Sequence, residues 1–299
     1  MNILFIVNPV AGKGLALKCV AEVKATMSNL ENIEYTIEYT QKVGHAIDIA
    51  QSAACRGTDI IFAVGGDGTV NEVANGLINT NSALAVIPGG SGNDFIRSLG
   101  ISGSPSEIII DTINGDRKLI DVGLINNRYF INISSVGFDA EVVLASQRAK
   151  KMYLSGSMAY IAGLIITIFT RKIIRVKMVI DDKEVEDNIL LIAVANGKYY
   201  GGGMMAAPDA LLDDGVFDIC FIKNVKKSKM LVLFPQFMKG KHEKFKEVTF
   251  YRSTKVYIES QSQISINVDG EVFKDTRVCF ELIKGGILVA VPRASSLKI

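Results

Sequence analysis

The sequence predicts an α/β nucleotide-binding domain, a parallel sheet with flanking helices, followed by an all-β, sandwich-like domain. Three observations predict it. Over the first 120 residues short apolar runs alternate with helical patterns, as in a parallel sheet covered by helices on its faces. Three glycine-rich stretches, NPVAGKG (8–14), GGDGT (65–69) and PGGSGND (88–94), each follow one of those runs, and such sheets bind ligands at the carboxyl ends of their strands. After Asp121 short strand-like runs dominate, the pattern of packed antiparallel sheets.

In chain order, NILFIV (2–7), IEYTIEYT (33–40), DIIFAV (59–64) and ALAVIP (83–88) are the expected strands of the first domain, with helices over about 14–29, 44–56 and 70–79. The domain is expected to span 1–122, with the turn INNR marking its end. The β-rich domain then runs over 123–286 through RYFINISSV, IIRVKMVI, NILLIAVANG, VFDICFI, STKVYIES, ISINVD and RVCFELI. Helical stretches near 152–170 and 226–239 interrupt it.

A chain of 299 residues has room for these two domains. Its 33 basic and 31 acidic residues leave a formal charge of +2. With no tryptophan and no recognisable module as well, nucleic-acid binding is not expected. The four cysteines, at 19, 55, 220 and 279, form no CxxC pair, so neither a metal cluster nor a disulfide framework is expected, and a reducing cytoplasm fits. The opening MNILFIVNP lacks a basic n-region and a cleavage site and reads as a buried strand. In MYLSGSMAYIAGLIITIF (152–169) the strongly apolar part, Met158 to Phe169, is twelve residues long. A spanning helix needs about 20, so a buried or interfacial helix is expected.

The loop VGGDGTVNE (64–72) sets a carboxylate among glycines. Bare backbone suits a phosphate, and a carboxylate beside a phosphate calls for a divalent cation between them. Gly65, Gly66 and Gly68 are thus candidates to meet a nucleotide's phosphates, with Thr69 and Asn71 as hydrogen-bonding partners and Asp67 on Mg²⁺. Thr69 with Glu72 three residues on also reads as a capping box. NPVAGKG, with Gly12 and Lys13, lacks the first glycine and the Ser/Thr of a Walker loop. PGGSGND has Asn93 where a G-x-S-x-G elbow needs glycine, and neither His45 nor His242 is an obvious partner for Ser91. NVDGEVF (267–273) reads as a hairpin turn or as a strand end presenting Asp269 and Glu271 to a cleft.

In this order NPVAGKG, VGGDGTVNE, PGGSGNDF, IDVG (120–123) and VDGE (268–271) resemble the diacylglycerol kinase catalytic family, and the soluble bacterial lipid kinases within it. The resemblance implies ATP as phosphoryl donor, Mg²⁺ at the phosphates and a lipid hydroxyl as acceptor, most simply that of diacylglycerol. It adds Asp94 and Asp121 to the acidic network of Asp67, and Asn8, Thr40, Glu72 and Ser91 to the nucleotide contacts, for which Gly12, Lys13 and Asn93 are candidates too. It implies Asp269 as the base, with Glu271 as support or as the base itself. A structural cation is implied at PDALLDDGVFDI (208–219), on Asp214 and the carbonyls of Leu211 and Val216, with Asp213 near. The closing strand (287–299) is expected to return to the first domain, and a homodimer is implied. GGDGT alone is shared with NAD kinases, which are the enzymatic alternative; a nucleotide-sensing regulator without turnover is the other.

A lipid acceptor needs an apolar trough and access to a bilayer. MAYIAGLIITIF could line the trough. Residues 224–246 carry seven lysines around Met230, Leu233, Phe234 and Phe237, either a membrane-surface helix or an ordinary amphipathic helix packed on the sandwich. The expected location is the cytoplasm, with transient binding to the membrane surface.

Overall fold

The structure is a computed structural model describing residues 1–90, 92–151, 156–171, 173–181 and 183–293. Ser91, residues 152–155 of the apolar segment and residues 294–299 of the expected closing strand lie outside the described residues.

The first half is built on β1 (Asn2–Val7), α1 (Leu15–Met27), β2 (Glu34–Tyr39), α2 (His45–Cys55), β3 (Ile60–Gly65), α3 (Asp67–Leu77), β4 (Ala83–Pro88), α4 (Asp94–Ser98) and α5 (Pro105–Ile113). β2, β1, β3 and β4 are parallel neighbours, with Ile3 opposite Ile60 and Ile61 opposite Leu84. Helices cover both faces of the central strands, and so β3 is buried at every residue and reads as one apolar run. Phe5 stacks on Phe62 at 4.8 Å between ring centres inside this core. α5 opens with a capping box that the sequence reading passed over: the Ser104 hydroxyl accepts from the Glu107 N–H while Glu107 accepts from the Ser104 N–H.

The second half contains β5 (Asp116–Ile125), β6 (Arg128–Phe130), β7 (Ile133–Gly137), α6 (Phe138–Lys151), α7 (Gly156–Thr170), β8 (Ile174–Ile180), β9 (Lys183–Ala195), the short pair β10 (Tyr199–Tyr200) and β11 (Met204–Met205), β12 (Phe217–Lys223), α8 (Lys227–Met238), β13 (Val248–Ser253), β14 (Lys255–Val268) and β15 (Glu271–Val291). Strands β5 to β9 and β12 to β15 pair antiparallel with one another. Their inward side chains form one core around Phe130, Phe217 and Phe280. Phe130 stacks on Phe217 at 5.7 Å and meets Phe280 edge-on at 6.2 Å.

Two strands belong to both halves. β15 pairs with β14 at its start, then its Val289 lies beside Leu84 of β4 in parallel. β5 runs antiparallel to it from Phe280 to Val291, with a register shift between Ile283 and Ile287.

α8 packs Met230, Leu233 and Phe237 inward, on a third core beneath the sheet. The apolar stripe of residues 224–246 is therefore core, and the ordinary packed helix is the right reading. No helix among the described residues is long and apolar enough to cross a membrane.

Phe130 fills the centre of the second core, so Phe130→Ala should cost about 3–5 kcal/mol in urea-induced equilibrium unfolding.

Candidate active site

The carboxyl ends of β1, β3 and β4 bring three loops together. Asn8 closes β1, and its Nδ2 donates to Thr69 Oγ1 at 3.0 Å. The Gly89 N–H donates to the Gly65 carbonyl at 2.7 Å. A Cβ at Gly90 would run into the Gly66 Cα, so two of these glycines serve the contact between loops. α3 starts at Asp67 with Gly66 as N-cap and no side-chain cap. The expected capping box is not formed: Thr69 accepts from Asn8, and Glu72 Oε2 accepts from the Ala46 N–H at 3.2 Å. No side chain thus caps the amino end of α3, which suits it to phosphate.

Asp67 Oδ1 accepts from the backbone N–H of Asp94 at 2.7 Å and of Phe95 at 3.3 Å. This carboxylate ties the loop after β4 to the loop after β3. Asp94 is buried; its Oδ2 accepts from the Gly202 N–H at 2.7 Å, and Arg97 lies 3.4 Å from Oδ1. Burial pushes the Asp94 carboxyl above its ordinary value, opposed by the Gly202 N–H and reinforced by Asp67. Two carboxylates set beside bare backbone make an oxygen donor set that fits Mg²⁺, and a divalent charge would offset the desolvation that raises Asp94.

From the second half, Asp269 enters the same cleft. Its Oδ2 accepts from the Ile131 N–H at 2.9 Å and from Asn71 Nδ2 of α3 at 2.7 Å, and its Oδ1 from the Ile133 N–H at 3.1 Å. Burial nevertheless pushes its carboxyl up to about 6, with the charge of Asp67 adding to the shift. Glu271 is different: it pairs with Arg128 at 3.0 Å, both side chains more than half exposed. The open cleft between the halves measures about 640 Å³ and is lined by Asn8, Gly12, Gly66, Asp67, Gly68, Thr69, Glu72, Asp94, Asp269 and Glu271, among others.

The chain matches two family models. The one described as diacylglycerol kinase catalytic domain matches residues 2–125. The one described as YegS C-terminal NAD kinase beta sandwich-like domain matches residues 132–291. A diacylglycerol kinase of Bacillus subtilis is 33% identical over 272 residues, covering 89% of this chain and 88% of that protein. A probable YegS-like lipid kinase of Chromohalobacter salexigens is 28% identical, covering 87% and 85%. Among solved structures, a putative diacylglycerol kinase from Bacillus anthracis superposes with a TM-score of 0.78 at 28% identity, covering 98% of each chain. The chain belongs to the diacylglycerol kinase family. It is an ATP-dependent lipid kinase, a phosphotransferase with an alcohol acceptor.

Not every expected residue reaches the kinase cleft. Lys13 is exposed and left-handed (φ 58°) beside it. Thr40 donates its N–H to the Val7 carbonyl and does not line the cleft. Asn93 folds its own loop, exchanging hydrogen bonds with Gly90.

Asp121, expected in the acidic network, does not line the cleft. It is 1% exposed, accepting from the Gly215 N–H at 2.6 Å and the Gly285 N–H at 2.8 Å, where β5 and β15 shift register. Two backbone donors hold its carboxylate away from the cleft lining.

In the loop of Leu211, Asp214 and Val216, Asp214 is ion-paired to Arg252 and accepts from the Val216 N–H at 3.2 Å. Among the described residues no group of three or more His, Cys, Asp or Glu is placed to hold a metal.

The sequence reading missed most of the second-half wall of the cleft, which includes Asn132, Tyr200, Gly201, Gly202 and Asn267. A signal existed in GGGM, since Gly201, Gly202 and Gly203 all take positive φ (62°, 88° and 104°).

Asp269→Asn should lower kcat by about 10²–10⁴-fold. The wild-type rate should fall tenfold per pH unit below about 6 as Asp269 takes up its proton, and level off above. Asn71→Leu removes a hydrogen bond that favours the carboxylate, so that acid limb should move to higher pH in a steady-state pH profile.

Proposed function

We propose that the kinase transfers the γ-phosphoryl group of ATP to the primary hydroxyl of diacylglycerol, forming phosphatidic acid. Residues 1–122, with the end of β15, bind the nucleotide, and residues 123–286 hold the lipid. The observation that carries the reading is the Asn71–Asp269 hydrogen bond, which sets a second-half carboxylate against the phosphate loop of the first half.

In this reading the backbone of Gly66 and Gly68 with Asn8 and Thr69 receives the ATP phosphates at the amino end of α3. Asp67 and Asp94 hold Mg²⁺, which when bound neutralises charge developing on the phosphoryl oxygens. Asp269 takes the proton from the acceptor hydroxyl. Its raised carboxyl value places it near the operating pH, where general-base catalysis is most effective. Glu271 supports it from the exposed rim, through its pair with Arg128. Asp121 acts by holding the junction rather than by binding the cation.

The enzyme meets its substrate by transient association with the membrane surface. A structural cation at Leu211, Asp214 and Val216 would have to displace Arg252 from Asp214. Self-association as a homodimer, implied by the family, is read out by sedimentation velocity.

The deciding experiment follows label from γ-labelled ATP into a lipid panel in mixed micelles, with NAD⁺ in parallel. Label should enter diacylglycerol and fall by at least about 10²-fold in Asp67→Ala and Asp269→Ala. Label in NADP⁺, or in a different lipid alone, would overturn the acceptor.

A further inference from the structure

α6 turns three faces to three spaces. Val143 and Ser146 line the active cleft. Asp139 and Val142 line a small apolar cavity of about 40 Å³. Glu141, Leu144, Ala145 and Arg148, spaced i, i+3, i+4 and i+7 as one helical face requires, line a separate cleft of about 310 Å³. Its other walls carry Arg171 after α7 and Lys274 on β15.

Among the described residues the lining of this cleft holds three cations against one acid. That acid, Glu141, already accepts from the Ser265 hydroxyl. Arg171 is fixed rather than free to swing: Nη1 donates to Asn224 Oδ1 at 2.6 Å and Nη2 to the Val225 carbonyl, while its buried Nε has no partner. Charge is therefore concentrated at a concave site with little local compensation.

The rim is apolar and faces water. Ile165, Ile166, Phe169 and Ile173 are 51%, 48%, 67% and 63% exposed, and Ile166 and Ile173 also line the cleft. A cationic recess bordered by exposed branched and aromatic side chains complements one kind of molecule: an amphiphile with an anionic head and an apolar tail.

We propose that this cleft seats the headgroup of an anionic phospholipid, with Ile165, Ile166, Phe169 and Ile173 entering the acyl layer. The α6–α7 face is then the membrane-docking surface, and α6 links it directly to the wall of the active cleft. α8 also exposes Leu231 and Val232, but Met230, Leu233 and Phe237 point inward, Lys229 is committed to Glu247 at 2.6 Å, and none of its residues lines this cationic cleft. The proposal deepens the membrane association above, yet its test needs no phosphoryl transfer.

The chain has no tryptophan, so Phe169→Trp supplies a single fluorophore in the docking rim. Full-length protein is titrated with phosphatidylcholine vesicles, with vesicles also containing phosphatidylglycerol, and with free glycerol phosphate. A blue shift should appear with the anionic vesicles. Adding R148E and K274E should weaken that binding at least about thirtyfold, while phosphorylation of a short-chain, water-soluble diacylglycerol stays at the parent's rate. K239E with K241E, on the far end of α8, should leave binding unchanged.

Equal binding to neutral and anionic vesicles would overturn the proposal, as would undiminished binding by the R148E/K274E protein. Saturation by glycerol phosphate as tight as by vesicles, with no blue shift, would make the cleft a soluble-anion site instead. Loss of lipid phosphorylation in every panel, with vesicle binding intact, would overturn the acceptor assignment alone.

Discussion

The arrangement of the two halves rests on one desolvated carboxylate. Asp121 sits where the β5–β15 ladder breaks step, and all its polar groups are engaged. Its two oxygens take the N–H of Gly215 and of Gly285, its N–H donates to the Leu212 carbonyl, and its carbonyl accepts from Asn196. Removing this carboxylate would leave both partly buried glycine N–H groups without their acceptor. The same contacts fix how the second sheet leaves the first. They thereby fix how far the loop bearing Asp67 stands from the turn bearing Asp269.

Within the cleft those two carboxylates have different surroundings for a physical reason. Asp67 faces backbone donors at the start of α4 and borders open glycine-rich backbone. Asp269 is enclosed by β6, β7 and α3, and three hydrogen bonds do not offset its lost hydration. Asp269 is thereby suited to exchange a proton. A hydrogen bond from Asn71, on the helix that Asp67 opens, reaches Asp269 across the domain gap, and Asn75 in turn donates to Asn71 Oδ1 at 3.1 Å, steadying that amide.

Local features were legible in the amino-acid sequence: the continuous apolar runs of β1, β3 and β4, and the glycine loops that close them. Those signals depend on near neighbours alone. The partners of Asp121 were not legible, because its sequence context says nothing of Gly215 and Gly285, which lie far along the chain. The pairing of Glu271 with Arg128, another distant partner, was equally invisible locally. Thr69 and Glu72 had the spacing of a capping box, yet Asn8 and Ala46 claimed them. In each case a tertiary contact overrode a sound local rule. The role of residues 224–246 likewise turned on which side of α8 met the sheet.

The passage of β15 through both sheets has a consequence for how this chain comes off the ribosome. The edge of β4 that will face Val289 stays uncovered until the last described strand has emerged. A nascent first half therefore waits with an unpaired, apolar parallel edge, the kind of surface that recruits chaperones or a second nascent chain. Ordering of the nucleotide loops after β3 and β4 is then a late event in biogenesis, and the two halves mature together rather than one after the other.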